Sequence, residues 1–244
     1  MNKKCLCLTG LMVFLLISFI YCDAEEMNTL KVLPEAVVAQ KQASQNDKAA
    51  LYTPAYPKET AKHLLPNKRG DLLHVAFEKG YIGNGVKLEP VTLPAAYTIE
   101  VIVNPSEKQG DYAVVLGNIY GNEEGFKIQH VPKEQNTYAM SFNDGKMWHF
   151  SVNFKLRAGA WNYLAVVFGD MKVLQVYVDG TLIGTVTTKN KIMNTSRPLV
   201  IGNWEHNSWP FSGKIAEVRI GTSELSEKDI SMRWDRIKPW LSKM

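Results

Sequence analysis

From about Leu72 onward, short runs rich in Val, Ile, Tyr and Phe recur every eight to twelve residues, separated by Gly, Asn, Asp and Pro. That rhythm excludes a helical bundle and points to an all-β sandwich. In "YTIEVIVNP", residues 97–105, Ile99, Val101 and Val103 fall on one face while Thr98 and Glu100 fall on the other, the pattern of a half-buried strand. "WNYLAVVF" and "KVLQVYVDGTLIGTV" continue the alternation. Asp179 and Gly180 stand between two alternating runs and tolerate the positive φ of a type I′ turn, which predicts a tight hairpin. After "FSGKIAEVRI" the period changes. Ser226 offers an N-cap, Glu227 and Asp229 complement the helix dipole, and Ile230, Trp234 and Ile237 recur at helical spacing. One short C-terminal helix is expected, packing Trp234 on the sandwich and ending at Pro239.

Cysteine use divides the chain. Cys5, Cys7 and Cys22 lie near the N-terminus and no residue after them is Cys, so the body has no disulfide framework, zinc–thiolate cluster or thiol nucleophile. With 45% apolar and 21% charged residues, the 244-residue chain has the material for one core that holds by packing alone. The segment before it reads as an export signal over residues 1–24: "MNKK" is positive, and an apolar run from Leu6 to Cys22 stops at the acidic "DAEE". Three endings stay open. Cys22 and Ala24 give a small-x-small site for cleavage after Ala24; Cys22 resembles a lipidated cysteine, although Tyr21 is bulky for such a site; and the run is long enough for an uncleaved anchor. Residues 25–68, with Pro54, Pro57 and Pro66, read either as a tether or as an extended segment along the edge of a domain spanning 69–244. The formal charge is only +4 and no polybasic run occurs, so nucleic acid is not an expected partner.

Six blocks in order, "GYIGNGVKLE", "YTIEVIVNP", "WNYLAVVF", "LQVYVDGTLIG", "PLVIGNW" and "FSGKIAEVRIGTSELSEKDI", resemble those of LamG-like jelly-roll domains in the concanavalin A-like lectin and glucanase superfamily. The resemblance covers about residues 72–232. It implies a fold that is all-β, a two-sheet antiparallel jelly-roll sandwich, with the short C-terminal helix appended. It does not choose a function, because lectins, adhesion modules, calcium sites and glycosidases share that frame.

Particular residues narrow the choice. Glucanases of this kind carry carboxylates at alternate positions of one strand, so that acid and nucleophile flank the glycosidic bond. No such stretch occurs. Glu123 and Glu124 are adjacent, Glu224, Glu227 and Asp229 belong to the helix start, and Glu217 with Arg219 suits a cross-strand ion pair. A catalytic residue is therefore not assigned, and glycoside hydrolase is kept as the enzyme alternative. Calcium is not favoured: the acidic residue that many relatives carry in the final strand is Ala216 here, while Asp111, Asn118, Asn122, Asp144 and Asp170 suit turns.

The strongest candidate is the polar loop "GNWEHNSWP". Flat aromatics beside amide, imidazole and carboxylate groups are what a sugar ring requires. Trp204, Glu205, His206, Asn207 and Trp209 are the expected carbohydrate site, weighed against either indole closing one end of the core. Trp148 and Trp161 are expected in the core or as structural residues, and Tyr120 borders a loop whose position the sequence leaves open. The expected product is an exported, lectin-like module that binds a glycan or polysaccharide without a cofactor at the cell envelope, cell surface or outside the cell. Membrane attachment would run through an N-terminal lipid or anchor, and a protein-binding adhesion module is the other alternative.

Overall fold

The computed structural model describes residues 71–81, 85–118, 123–143, 147–169, 173–188, 197–204 and 208–244, with the backbone alone for 78–81. The leader expected over residues 1–24 and the tether over 25–68 lie outside them.

Two antiparallel sheets face each other. In the first, β1 (Leu73–Tyr81), β13 (Gly213–Gly221), β3 (Tyr97–Pro105), β9 (Asn162–Phe168), β10 (Val173–Val178) and β11 (Thr181–Thr187) lie side by side in that order. The second runs β2 (Val86–Leu88), β12 (Leu199–Ile201), β4 (Val114–Gly117), β5 (Gly125–His130), β6 (Thr137–Asn143) and β7 (Trp148–Phe150), with β8 (Phe154–Lys155) also paired to β6. Alternation decides what each strand sends inward. Ile99, Val101 and Val103 of β3 and Leu164 and Val166 of β9 meet Phe126 and Ile128 of β5 and Tyr138, Met140 and Phe142 of β6 in one core. Each such side chain contributes about 1.5–3 kcal/mol on leaving water.

The Asp179–Gly180 hairpin forms as the alternation predicts, with φ of 51° and 79° at the two turn residues joining β10 to β11. Ser226 caps α1 (Glu227–Leu241) in a capping box, accepting a hydrogen bond from the Asp229 amide while the Asp229 carboxylate accepts one from the Ser226 amide.

Two expectations are corrected here. β3 is not half-buried: Thr98 and Glu100 are as inaccessible as Ile99, because α1 lies across the outer face of the first sheet. Ile230, Ile237 and Leu241 of α1 pack there with Ile102, Tyr163, Val167 and Tyr177, and Trp161 and Trp234 border the cluster. Nor does Pro239 end the helix, which runs to Leu241. Proline in the last turn forfeits one hydrogen bond, and burial of Leu241 offsets that loss.

A single residue sets the entry into β13. Gly213 has φ of 141°, and a Cβ there would lie 2.3 Å from the Asn104 carbonyl oxygen. Gly213→Ala is therefore expected to cost about 2 kcal/mol, read as a lower midpoint in urea denaturation.

Candidate functional site

Among the described residues α1 lies over the first sheet and no helix lies over the outer face of the second. The strand β5 shows how that face is furnished. In "GFKIQH", Phe126 and Ile128 enter the core, so Lys127 and Gln129 point outward by the same alternation. Register places Gly117 of β4 on one side of Lys127 and Ser141 of β6 on the other. Gly117 is required for this: a Cβ at 117 would lie 2.8 Å from the Lys127 Cβ. Gln129 donates from Nε2 to the Ser141 hydroxyl at 2.9 Å.

Three tryptophans close over this row from opposite ends. Trp148 arrives on β7, opposite Asn143 and so on the outward face. Trp204 and Trp209 come from the loop after β12. That loop is tied down by backbone bonds: the Gly202 amide donates to the Val115 carbonyl at 2.8 Å, the Val114 amide to the Trp209 carbonyl at 3.0 Å, and the Phe211 amide to the Gly202 carbonyl at 2.9 Å. Phe211 then drops into the main core. Trp204, Trp209, Trp148 and Val114 form a cluster separate from that core.

The Lys127 ammonium sits among the three rings, with Nζ 5.0 Å from the Trp148 ring centroid, 4.7 Å from Trp204 and 4.6 Å from Trp209. Cation–π attraction of this kind reaches about 2 kcal/mol per ring once the cation is desolvated. It opposes the effect of burial, which draws the ammonium down to about 8. At neutral pH the group still carries its charge.

Exposure falls off across the cluster. Trp204 is buried, Trp209 and Trp148 are half-buried, and Tyr112 is exposed at the rim with its ring 5.6 Å from that of Trp209. Tyr112 holds φ of 61°, a left-handed conformation costing a tyrosine about 1–2 kcal/mol.

Of the five residues expected in the site, Trp204 and Trp209 are brought together, with ring centroids 5.0 Å apart. Glu205, His206 and Asn207 lie outside the described residues, as does Tyr120. The expectation that Trp148 belongs to the core is corrected: it stands on the outer face against Lys127. Lys127 and Tyr112 were not legible as site residues. The alternation of β5 marks Lys127 as outward, but nothing local reveals the rings around it.

Several described carboxylates are engaged elsewhere. Glu123 makes a two-pronged pair with Arg197 at 2.7 Å. Glu217 and Arg219 share a face as expected but take different partners, Glu217 meeting His74 and Arg219 meeting Asp71 and Glu100. Ala216 is buried beneath α1. Asp111 accepts from the Lys133 amide and Asn118 from the Phe126 amide, the turn roles their types suggest. Asn122, Asp144 and Asp170 lie outside the described residues.

Two antiparallel sheets packed face to face, one roofed by a helix and one presenting aromatics, define a lectin-type β-sandwich. The chain belongs to the concanavalin A-like lectin/glucanases superfamily, matching its laminin-G profile over residues 79–231, more than half of its length. No curated protein matches it by sequence. Among solved structures, the NanB sialidase of Streptococcus pneumoniae is similar with a TM-score of 0.55 and 12% identity, over 67% of this chain and 28% of that one. The receptor-binding domain of botulinum neurotoxin mosaic serotype C/D gives 0.51 and 12% identity, over 68% and 50%. A Ruminococcus gnavus sialidase CBM40 bound to α2,3-sialyllactose gives 0.49 and 15%, over 63% and 99%. At these identities the likeness is one of fold. This chain spans about half the length of the neurotoxin binding domain and little more than a quarter of the sialidase.

Proposed function

We propose that residues 69–244 form a non-catalytic carbohydrate-binding module, exported by the leader and held at the cell envelope or outside the cell. The observation that carries the reading is the aromatic surface of Trp209, Trp148 and Tyr112 on the sheet opposite the one that α1 covers. Sugar rings stack their C–H faces on indole and phenol, and the half-buried Trp209 and Trp148 with the exposed Tyr112 leave ring surface for that contact. Superfamily membership supports the same reading by analogy of fold. The non-catalytic part is supported by the engagement of Glu217 and Glu100 in ion pairs on the first sheet and of Glu123 with Arg197.

The test is a glycan-array and polysaccharide screen on residues 25–244. Trp209→Ala is expected to weaken binding at least tenfold, or about 1.4 kcal/mol, while shifting thermal unfolding by no more than a few degrees. Binding is expected to be the same in calcium and in chelator, since no cofactor is assigned to the site. Absence of binding to every glycan would sink the reading in favour of a protein partner, and release of reducing sugar would convert it to a glycoside hydrolase.

A further inference from the structure

Lys127 is the least economical residue of the second sheet. It is 93% removed from solvent, being only 7% exposed, and among the described residues no carboxylate or other hydrogen-bond acceptor meets its ammonium. Its partners are three indole rings. A methionine of similar length would fill the same volume without a desolvated charge, so packing alone does not account for a lysine there. The flanking sheet positions, Gly117, Gln129 and Ser141, are all uncharged. Among the described residues, a positive charge is thus fixed inside an otherwise neutral aromatic surface, behind two half-buried rings.

We infer that the module is selective for acidic sugars, with the Lys127 ammonium taking the carboxylate or sulfate of a pyranose ring stacked on Trp209 and Trp148. The inference rests on the carbohydrate-binding reading above and deepens it. An anion arriving at the rim restores the counter-charge that burial denies the ammonium. In a water-poor surrounding that pairing is stronger than in bulk solvent. The ring that carries the anion takes the hydrophobic share. Indole faces are electron-rich and repel an anion by themselves, so the lysine is what turns an aromatic platform from one suited to neutral sugars into one suited to acidic ones.

The experiment compares polygalacturonate, dextran sulfate, and the neutral polymers carboxyl-reduced polygalacturonate and dextran, bound to the full chain and to Lys127→Met, Lys127→Gln, Lys155→Met and Trp209→Ala. Lys155 is exposed on β8, so its replacement removes one charge from the protein without touching the site. The wild type is expected to bind at least one acidic polymer ten times or more tightly than its neutral counterpart. That preference is expected to disappear in both Lys127 variants and to survive in Lys155→Met. Which acidic polymer is preferred separates carboxylate from sulfate recognition. Equal binding of acidic and neutral polymers, lost in Trp209→Ala, would overturn this inference while leaving the carbohydrate reading intact. A preference that survives both Lys127 variants, or falls equally in Lys155→Met, would overturn it as well, showing only the general charge of the protein. Binding of none of these polymers or of any arrayed glycan would overturn the carbohydrate reading itself.

Discussion

Replacing Glu100 with alanine is expected to lower the free energy of unfolding by about 3–5 kcal/mol, the largest effect of any single change considered for this domain. Glu100 is completely buried at the centre of β3, under α1. One of its oxygens accepts from the Tyr163 hydroxyl at 2.6 Å; the other accepts from Arg219 Nη1 at 2.8 Å and also meets Arg233 of α1. Arg219 is held from its far side by both oxygens of Asp71, at 2.7 and 2.8 Å. Removing the carboxylate leaves two guanidinium groups facing each other in a dry space, with Asp71 the remaining carboxylate partner among the described residues. Repulsion adds to the lost hydrogen bonds, and α1 loses the charge that draws Arg233 onto the sheet. Thermal unfolding should fall by roughly 10 °C. A loss below 1 kcal/mol would mean that water reaches these groups and that α1 is not packed as described. Glu100→Gln separates the two contributions, because it keeps an acceptor while removing the charge.

Trp204→Ala is expected to cost about 3 kcal/mol and to weaken glycan binding as well, a different outcome from that of Trp209→Ala. The indole of Trp204 is buried against Val114 and beneath Trp209, so its loss leaves a cavity under the platform. Trp209 then has nothing to lean on, and the loop that carries it loosens. Urea denaturation and a binding isotherm on the same preparation read both effects. If Trp204→Ala instead kept full stability and lost only binding, the ring would have to face the ligand directly, contrary to its burial. The pair of variants thus separates the residue that builds the surface from the residue that offers it.

How far these assignments were legible beforehand depends on the range of the interaction concerned. Short-range features were readable: the two faces of β3, the Asp179–Gly180 turn and the Ser226 cap each follow from residues within a few positions of one another. Alternation tells which residues share a face and not which face is inside. That is why β3 appeared half-buried, when a helix over a hundred residues later covers its second side. The same limit explains Trp148, which was read as core although β7 sends it to the outer face of the second sheet. In the loop, aromatic enrichment gave Trp204 and Trp209 correctly as neighbours. Their convergence on Lys127 depends on β12, β4, β5, β6 and β7 lying in that order, which no local pattern encodes.

The placement of α1 also ties the start of the described domain to its end. β1 is an edge strand of the helix-covered sheet, and Asp71, just before it, is bound to Arg219 on that sheet's outer side. Arg233 of α1 reaches the Glu100 carboxylate that Arg219 also holds, so one ion network fastens both Asp71 and the helix to the same sheet.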